Sequence, residues 1–260
     1  MITTSDTVTL DSGHRMPLVG FGTWQVGRKA VAIAAAAGYR SFDTAAMYAN
    51  EKQVGDGFRD AGLTPDDVFL TSKVWRSDMG YQSTLRSYAA SCRNLGVDAL
   101  DLFLIHWPHS DDRVMIETWR AMEHLLEQGD VESIGVSNFS ESDLDLLAAH
   151  SNVVPAVNQI ELNPLRPHTT LRGENQRRGI VTTAWSPLGQ GGPLLACPEL
   201  TSIASQHGVS EAQVVLRWML QKQIVAIPRS SNPQRIAQNI DLDGFELTDA
   251  QIARIDSLAR

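Results

Sequence analysis

Four side chains in the first half of the chain could together move a proton: Asp43, Tyr48, Lys73 and His106. A tyrosine hydroxyl titrates near 10 and is a poor acid at neutral pH. An ammonium beside it favours the phenolate and lowers that value by about 1–3 units, a task open to Lys73. Lys73 in turn needs a counter-ion to stay charged inside a fold, and Asp43 can supply it. His106 can hydrogen-bond a substrate oxygen and orient it. Such a set suits a carbonyl oxygen becoming an alkoxide, with Tyr48 as general acid. Taken singly each residue has a blander reading, since an Asp at a strand end is more often a cap. Metal catalysis is the weaker reading: of seven histidines only His106 and His109 are closely spaced, and no HExxH motif occurs. No metal ligand set is expected.

The elements that would carry these residues are legible as eight short apolar runs rich in β-branched and aromatic residues. They begin at Leu18, Tyr39, Val68, Leu100, Val131, Val153, Ile180 and Ile224. Their spacing is that of repeated βα units. Helix signals fall between them: Val114 to Gln128 closed by Gly129, a start capped by Ser140, and Ser210 to Gln221. Eight strands alternating with helices in one chain of 260 residues predict an α/β fold, a (β/α)8 TIM barrel forming a single domain over 1–260. The segment before the first run reads as a β-hairpin turning at Ser12-Gly13, a cap over the N-terminal end of the barrel. Thr248 to Leu258 reads as an extra amphipathic C-terminal helix. A doubly wound sheet is the competing fold, because Gly20-Phe21-Gly22 follows a strand. It fails at Gln25, where the dinucleotide fingerprint needs its third glycine.

A barrel builds its active site at the C-terminal ends of its strands. The polar residues expected there are Asp43, Lys73, His106, Ser137, Asn138, Gln159, Ser186, Arg229 and Ser230. Burying so many polar groups at one end is costly unless they are paired or used. Trp24, Trp75, Trp107 and Trp185 also fall at strand ends, which suits an aromatic-walled small-molecule pocket. Residues 212–240 contain no Asp or Glu yet hold Arg217, Lys222, Arg229 and Arg235. Two of these bracket Ser230-Ser231, where barrels commonly bind phosphate. The glycine-rich loop from Leu188 to Gly192 is a candidate cofactor cover.

Thirty acidic against 22 basic residues give a net charge of −8, which argues against a nucleic-acid partner. Two cysteines, Cys92 and Cys197, form no CxxC pair, and no apolar stretch approaches a membrane span. The expectation is a cytoplasmic monomer acting on a small molecule, with no membrane partner.

GFGTWQ, GYRSFDTAAMYANE, TSKVW, LFLIHWP, SIGVSNF, VPAVNQIELNP, AWSPLGQG and IPRSSNPQRIAQN follow one another along the chain. In type and order they resemble the aldo-keto reductase family, with greatest similarity to its bacterial 2,5-diketogluconate reductase-like branch. The resemblance implies NADPH-dependent reduction of aldehydes and ketones: small carbonyls, dicarbonyls or keto-sugars. It implies a catalytic tetrad of Asp43, Tyr48, Lys73 and His106, and a substrate pocket of Trp24, Tyr48, Trp75, His106 and Trp107. For NADPH/NADP+ it implies Gly22, Thr23, Asp43, Ser186, Leu188 and Gly189 along the cofactor path. Ser137, Asn138 and Gln159 would hold the nicotinamide carboxamide, with Trp185 stacked on the ring. Arg229, Ser230, Ser231 and Arg235 would hold the 2′-phosphate, with Gln238 and Asn239 at the adenine. Arg229 stands where the family usually has Lys, and Gln238 where it usually has Glu. The chain stops at Arg260 without the tail that wraps the pocket in relatives, which predicts broad use of small aldehydes. Two other functions stay open on the residues alone: a nucleotide-binding sensor, and an isomerase or aldolase that turns over without nicotinamide.

Overall fold

A computed structural model describes residues 2–259. Eight parallel strands run in chain order: β3 (Phe21–Gly22), β4 (Ser41–Asp43), β5 (Phe69–Val74), β6 (Leu102–Ile105), β7 (Ile134–Ser137), β8 (Val157–Glu161), β9 (Val181–Trp185) and β10 (Val225–Ala226). A parallel bridge between Val19 and Ala226 joins the last strand to the first. The Gly20 amide donates to the Ala226 carbonyl at 2.9 Å, and the Ala226 amide to Leu18 at 2.9 Å, so the sheet closes into a barrel. Each of the eight apolar runs supplies one strand. The central ones, such as Leu102–Ile105, are buried at every position, as a sheet covered on both faces requires.

Helices follow the strands: α1 (Arg28–Ala36), α2 (Glu51–Asp60), α3 (Tyr81–Leu95), α4 (Asp112–Gln128), α5 (Glu141–His150), α6 (Thr169–Arg177), α7 (Pro198–His207), α8 (Glu211–Gln221), α9 (Pro233–Ile240) and α10 (Asp249–Asp256). Their ends are set locally. Ser140 and Ser210 form capping boxes with Asp143 and Gln213, and α4 closes at Gly129 in the left-handed region (φ 74°). Helices α1 and α2 approach so closely that a Cβ at Gly57 would lie 2.6 Å from Val31 Cβ.

An antiparallel hairpin, β1 (Thr7–Thr9) with β2 (Arg15–Pro17), precedes the barrel. Ser12 Oγ at its tip bonds Ser133 Oγ at 2.6 Å, just before β7 begins, which places the hairpin at the N-terminal end. Helix α10 is the expected extra helix. It is held where Asp256 accepts from Trp218 Nε1 at 2.8 Å and Gln251 donates to Gln206 at 3.0 Å. Among the described residues no helix is long and apolar enough to cross a membrane.

Candidate active site

The strand ends bring the four proton-handling residues together. Asp43 ends β4, and Lys73 lies one residue before the end of β5. His106 follows β6, its amide bonded to Val74 O at 3.2 Å. Tyr48 closes a short 3-10 turn, Ala46–Tyr48, after β4. Lys73 is 0% and Asp43 4% exposed. Lys73 Nζ donates to Asp43 Oδ1 at 2.6 Å and to Thr44 O at 2.8 Å, and lies 5.4 Å from the Tyr48 ring centroid. An ammonium has three donors, so one remains for the phenol side. Asp43 Oδ2 accepts from Gln159 Nε2 at 2.7 Å. The His106 ring meets Tyr48 and Trp75 edge-on, at centroid distances of 5.6 and 5.0 Å.

Burial sets the protonation states. Burial alone would push the Lys73 ammonium down, but the Asp43 carboxylate, then Tyr48, and hydrogen bonds to both more than offset it, and its pKa lies above the ordinary lysine value. For Tyr48, burial pushes the phenol up and Asp43 adds to this, against the downward pull of Lys73. The net direction is upward. That corrects the expectation of a lowered Tyr48, because desolvation of a phenolate in this site outweighs one neighbouring ammonium. His106 is pushed down to about 3 by burial, then by Lys73 and Arg76, so its imidazole is neutral. Its Nδ1 is buried without a hydrogen-bond partner. An orphaned lone pair is tolerated better than an orphaned N–H, which leaves the proton on Nε2.

The expected cofactor residues line up along the ends of β7, β8 and β9. Ser137 Oγ donates to Gln159 O at 2.8 Å. Asn138 Nδ2 donates to His106 O and to Ser137 Oγ, both at 3.0 Å, and Asn138 Oδ1 accepts from Trp185 Nε1 at 2.9 Å. Asn138 (φ 63°) and Ser186 (φ 49°) occupy the left-handed region, which turns the chain sharply off each strand. Thr23 Oγ1 donates to Asp43 O at 2.9 Å. At Gly22 a Cβ would lie 3.0 Å from Ile227 O, so glycine lets β3 pack closely against the chain that follows β10. Leu188 and Gly189 begin the turn after β9.

Ser230 and Ser231 lie between β10 and α9, where Asn232 caps the helix by accepting from the Gln234 and Arg235 amides. Arg235 and Gln238 are exposed and Asn239 is buried. Arg229 reaches across to Trp24, its guanidinium 5.2 Å from that ring and its Nη1 3.2 Å from Trp24 O. Trp107 carries Arg76 in the same way at 5.5 Å. Among the described residues no group of three or more His, Cys, Asp or Glu is placed to hold a metal ion.

Two residues not singled out from the sequence hold the Tyr48 loop. Lys73 grips its start at Thr44, while the preceding Ser72 donates to Glu51 Oε1 at 2.7 Å, at its end. Successive strand residues face opposite sides, so the loop is fixed to β5 on both faces. Asn94 Nδ2 supports the other Glu51 oxygen at 3.0 Å. Asn50 accepts from Thr44 Oγ1 at 3.1 Å and donates to the carbonyls of Thr23 (2.7 Å) and Val26 (3.0 Å). Asn before Glu at a helix start is a capping signal, but it says nothing of partners on other strands.

The C-terminal end of a closed parallel barrel thus carries a buried Asp–Lys pair set against a tyrosine. The chain belongs to the Aldo/keto reductase family, whose sequence pattern matches residues 18–260. An aldo-keto reductase of Mycolicibacterium smegmatis is 48% identical over 98% of this chain and 94% of its own length. Glyoxal reductase of Bacillus subtilis is 44% identical, over 97% and 92%. The crystal structure of a Gox0644 mutant in complex with NADPH superposes with a TM-score of 0.94. It is 40% identical and covers 98% of this chain and 94% of that one.

Proposed function

We propose that this chain reduces aldehydes and ketones to alcohols with NADPH, Tyr48 serving as the proton donor. The observation that carries the reading is the buried Lys73–Asp43 pair at 2.6 Å set against Tyr48. When bound, NADPH supplies the hydride that the carbonyl carbon receives. The residues present fit that cofactor. Ser137, Asn138 and Gln159 offer amide and hydroxyl groups suited to a carboxamide, and Gly22 and Thr23 would border the cofactor path. Trp185 offers its ring to the nicotinamide, with Ser186, Leu188 and Gly189 beside the cofactor path. Arg229, Ser230, Ser231 and Arg235 would take the 2′-phosphate, with Gln238 and Asn239 at the adenine.

His106 donates from Nε2 to the carbonyl oxygen and Tyr48 Oη donates beside it, which polarises the bond before reaction. A raised pKa keeps Tyr48 protonated and ready to act as an acid across neutral pH. As negative charge grows on the oxygen, Tyr48 gives up its proton. Lys73, kept charged by Asp43, then stabilises the phenolate. Trp24, Trp75 and Trp107 wall the substrate side. Small carbonyls, dicarbonyls and keto-sugars are the substrate class, a reading supported by the similarity to glyoxal reductase. The chain acts as one barrel domain and a monomer. The free thiols of Cys92 and Cys197 suit the reducing cytoplasm.

The test follows NADPH consumption by the purified chain with methylglyoxal, glyceraldehyde and simple ketones, with the alcohol product identified. Stoichiometric NADP+ and alcohol are expected. Inertness toward every carbonyl, or isomerisation without nicotinamide, would contradict the reading.

A further inference from the structure

A cation without a carboxylate partner stands beside the reacting groups. Strands β5 and β6 pair Lys73 with Leu104 and Val74 with Ile105. Carried past the strand ends, that register sets Trp75 beside His106 and Arg76 beside Trp107. The contacts agree: Trp75 packs edge-on against His106 at 5.0 Å, and the Arg76 guanidinium lies 5.5 Å from the Trp107 ring centroid. Arg76 opens the short turn Arg76–Asp78 and directly follows Trp75, the residue that packs on His106. Among the described residues no Asp or Glu forms an ion pair with Arg76. Asp78, two residues on, accepts from Ser77 Oγ and forms no ion pair with Arg76.

Lys73 and Asp43 cancel, and Arg229 on Trp24 is assigned to the cofactor phosphate, which leaves Arg76 on Trp107 as the charge resting on the substrate side of the aromatic wall. In a chain of net charge −8 this sets one positive charge beside the pocket. Fields of this kind gather anions into clefts. An indole fixes one face of a guanidinium and leaves the N–H edge free, the geometry that takes a carboxylate or phosphate as a fork. The apolar walls supplied by Trp75 and Trp107 give no such discrimination.

We propose that Arg76 selects carbonyl substrates that carry an anionic group, carboxylate or phosphate, a few bonds from the carbonyl. The proposal rests on the reductase reading and names the substrate class of that same site.

Initial rates with saturating NADPH test it on the wild-type chain, Arg76→Ala and Arg76→Lys. The substrates are matched pairs: succinic semialdehyde with butanal, and glyceraldehyde 3-phosphate with glyceraldehyde. Arg76→Ala is expected to lower kcat/KM for the charged member by about tenfold, chiefly through KM, a charge-assisted contact in a half-open site. The neutral member should stay within about twofold, because apolar contacts are untouched. Arg76→Lys should keep part of the advantage, retaining charge and losing the fork. Added salt should erode it in the wild type. A change confined to one pair assigns the group as carboxylate or as phosphate. An unchanged charged-to-neutral ratio in Arg76→Ala, with neutral aldehydes still reduced, overturns the role of Arg76 and leaves the reductase reading intact. Absence of all carbonyl turnover in the wild type overturns both.

Discussion

Replacing Lys73 with Met separates what the buried pair does for folding from what it does for chemistry. In the folded chain Lys73 is fully buried and bonds Asp43 at 2.6 Å. Removing it leaves Asp43 charged, buried and held only by Gln159 Nε2. Breaking a buried pair from one side costs about 3–5 kcal/mol. The chemical cost is separate: without the ammonium, the Tyr48 phenolate loses a stabilisation of about 1–3 pKa units, which slows reduction by roughly ten- to a thousandfold. Adding Asp43→Asn removes the orphaned charge while keeping an oxygen to accept from Gln159. The double variant should therefore regain at least about half of the lost stability and none of the lost rate. Urea unfolding measures the first quantity and single-turnover hydride transfer the second. Turnover within about twofold of wild type in Lys73→Met would refute the role given to the ammonium.

His106 titrates near 6.5 in an unfolded chain and is held to about 3 in the fold. The unfolded state therefore binds its proton first as pH falls. The stability contributed by a neutral His106 is whole above 6.5 and is lost between 6.5 and about 3, amounting to a few kcal/mol at about 1.36 per pKa unit. His106→Gln should flatten that part of a stability-against-pH curve, and an unchanged curve would contradict the shift. Arg235→Ala should weaken NADPH binding by about tenfold or more and leave NADH nearly unchanged, measured by titration. Equal losses would show that Arg235 does not read the phosphate. Asn50→Ala removes three buried hydrogen bonds, at a cost of about 2–3 kcal/mol, and frees the Tyr48 loop. Chemical denaturation and single-turnover rates should both respond, and wild-type values in both would discount the clamp.

Period and capping make the barrel legible in the sequence. Ser140, Ser210, Thr248 and Gly129 close their helices where the sequence puts them, because a cap is decided within four residues. Strand starts were less sharp. The runs at Leu18, Leu100 and Val153 begin two to four residues before Phe21, Leu102 and Val157. Val19 and Leu100 take part only through isolated bridges, so their apolar character reports burial and not an extended ladder. That Asp43, Tyr48, Lys73 and His106 meet is readable because a barrel puts strand ends on one face. The protonation of Tyr48 is not, since its direction depends on burial weighed against two opposite charges. Bonds such as Gln159 to Asp43, 116 positions apart, and Asn50 to Thr23 leave no trace in local spacing.

Tyr48→Phe tests the account at its centre, because it removes one hydroxyl and keeps the ring that packs against His106. Single-turnover reduction of methylglyoxal by the NADPH-loaded protein should fall by at least about 10², the lower range for general acid catalysis. NADPH affinity should be preserved. Near-normal single-turnover rates in Tyr48→Phe, with NADPH bound as tightly as in the wild type, would show that the proton comes from elsewhere.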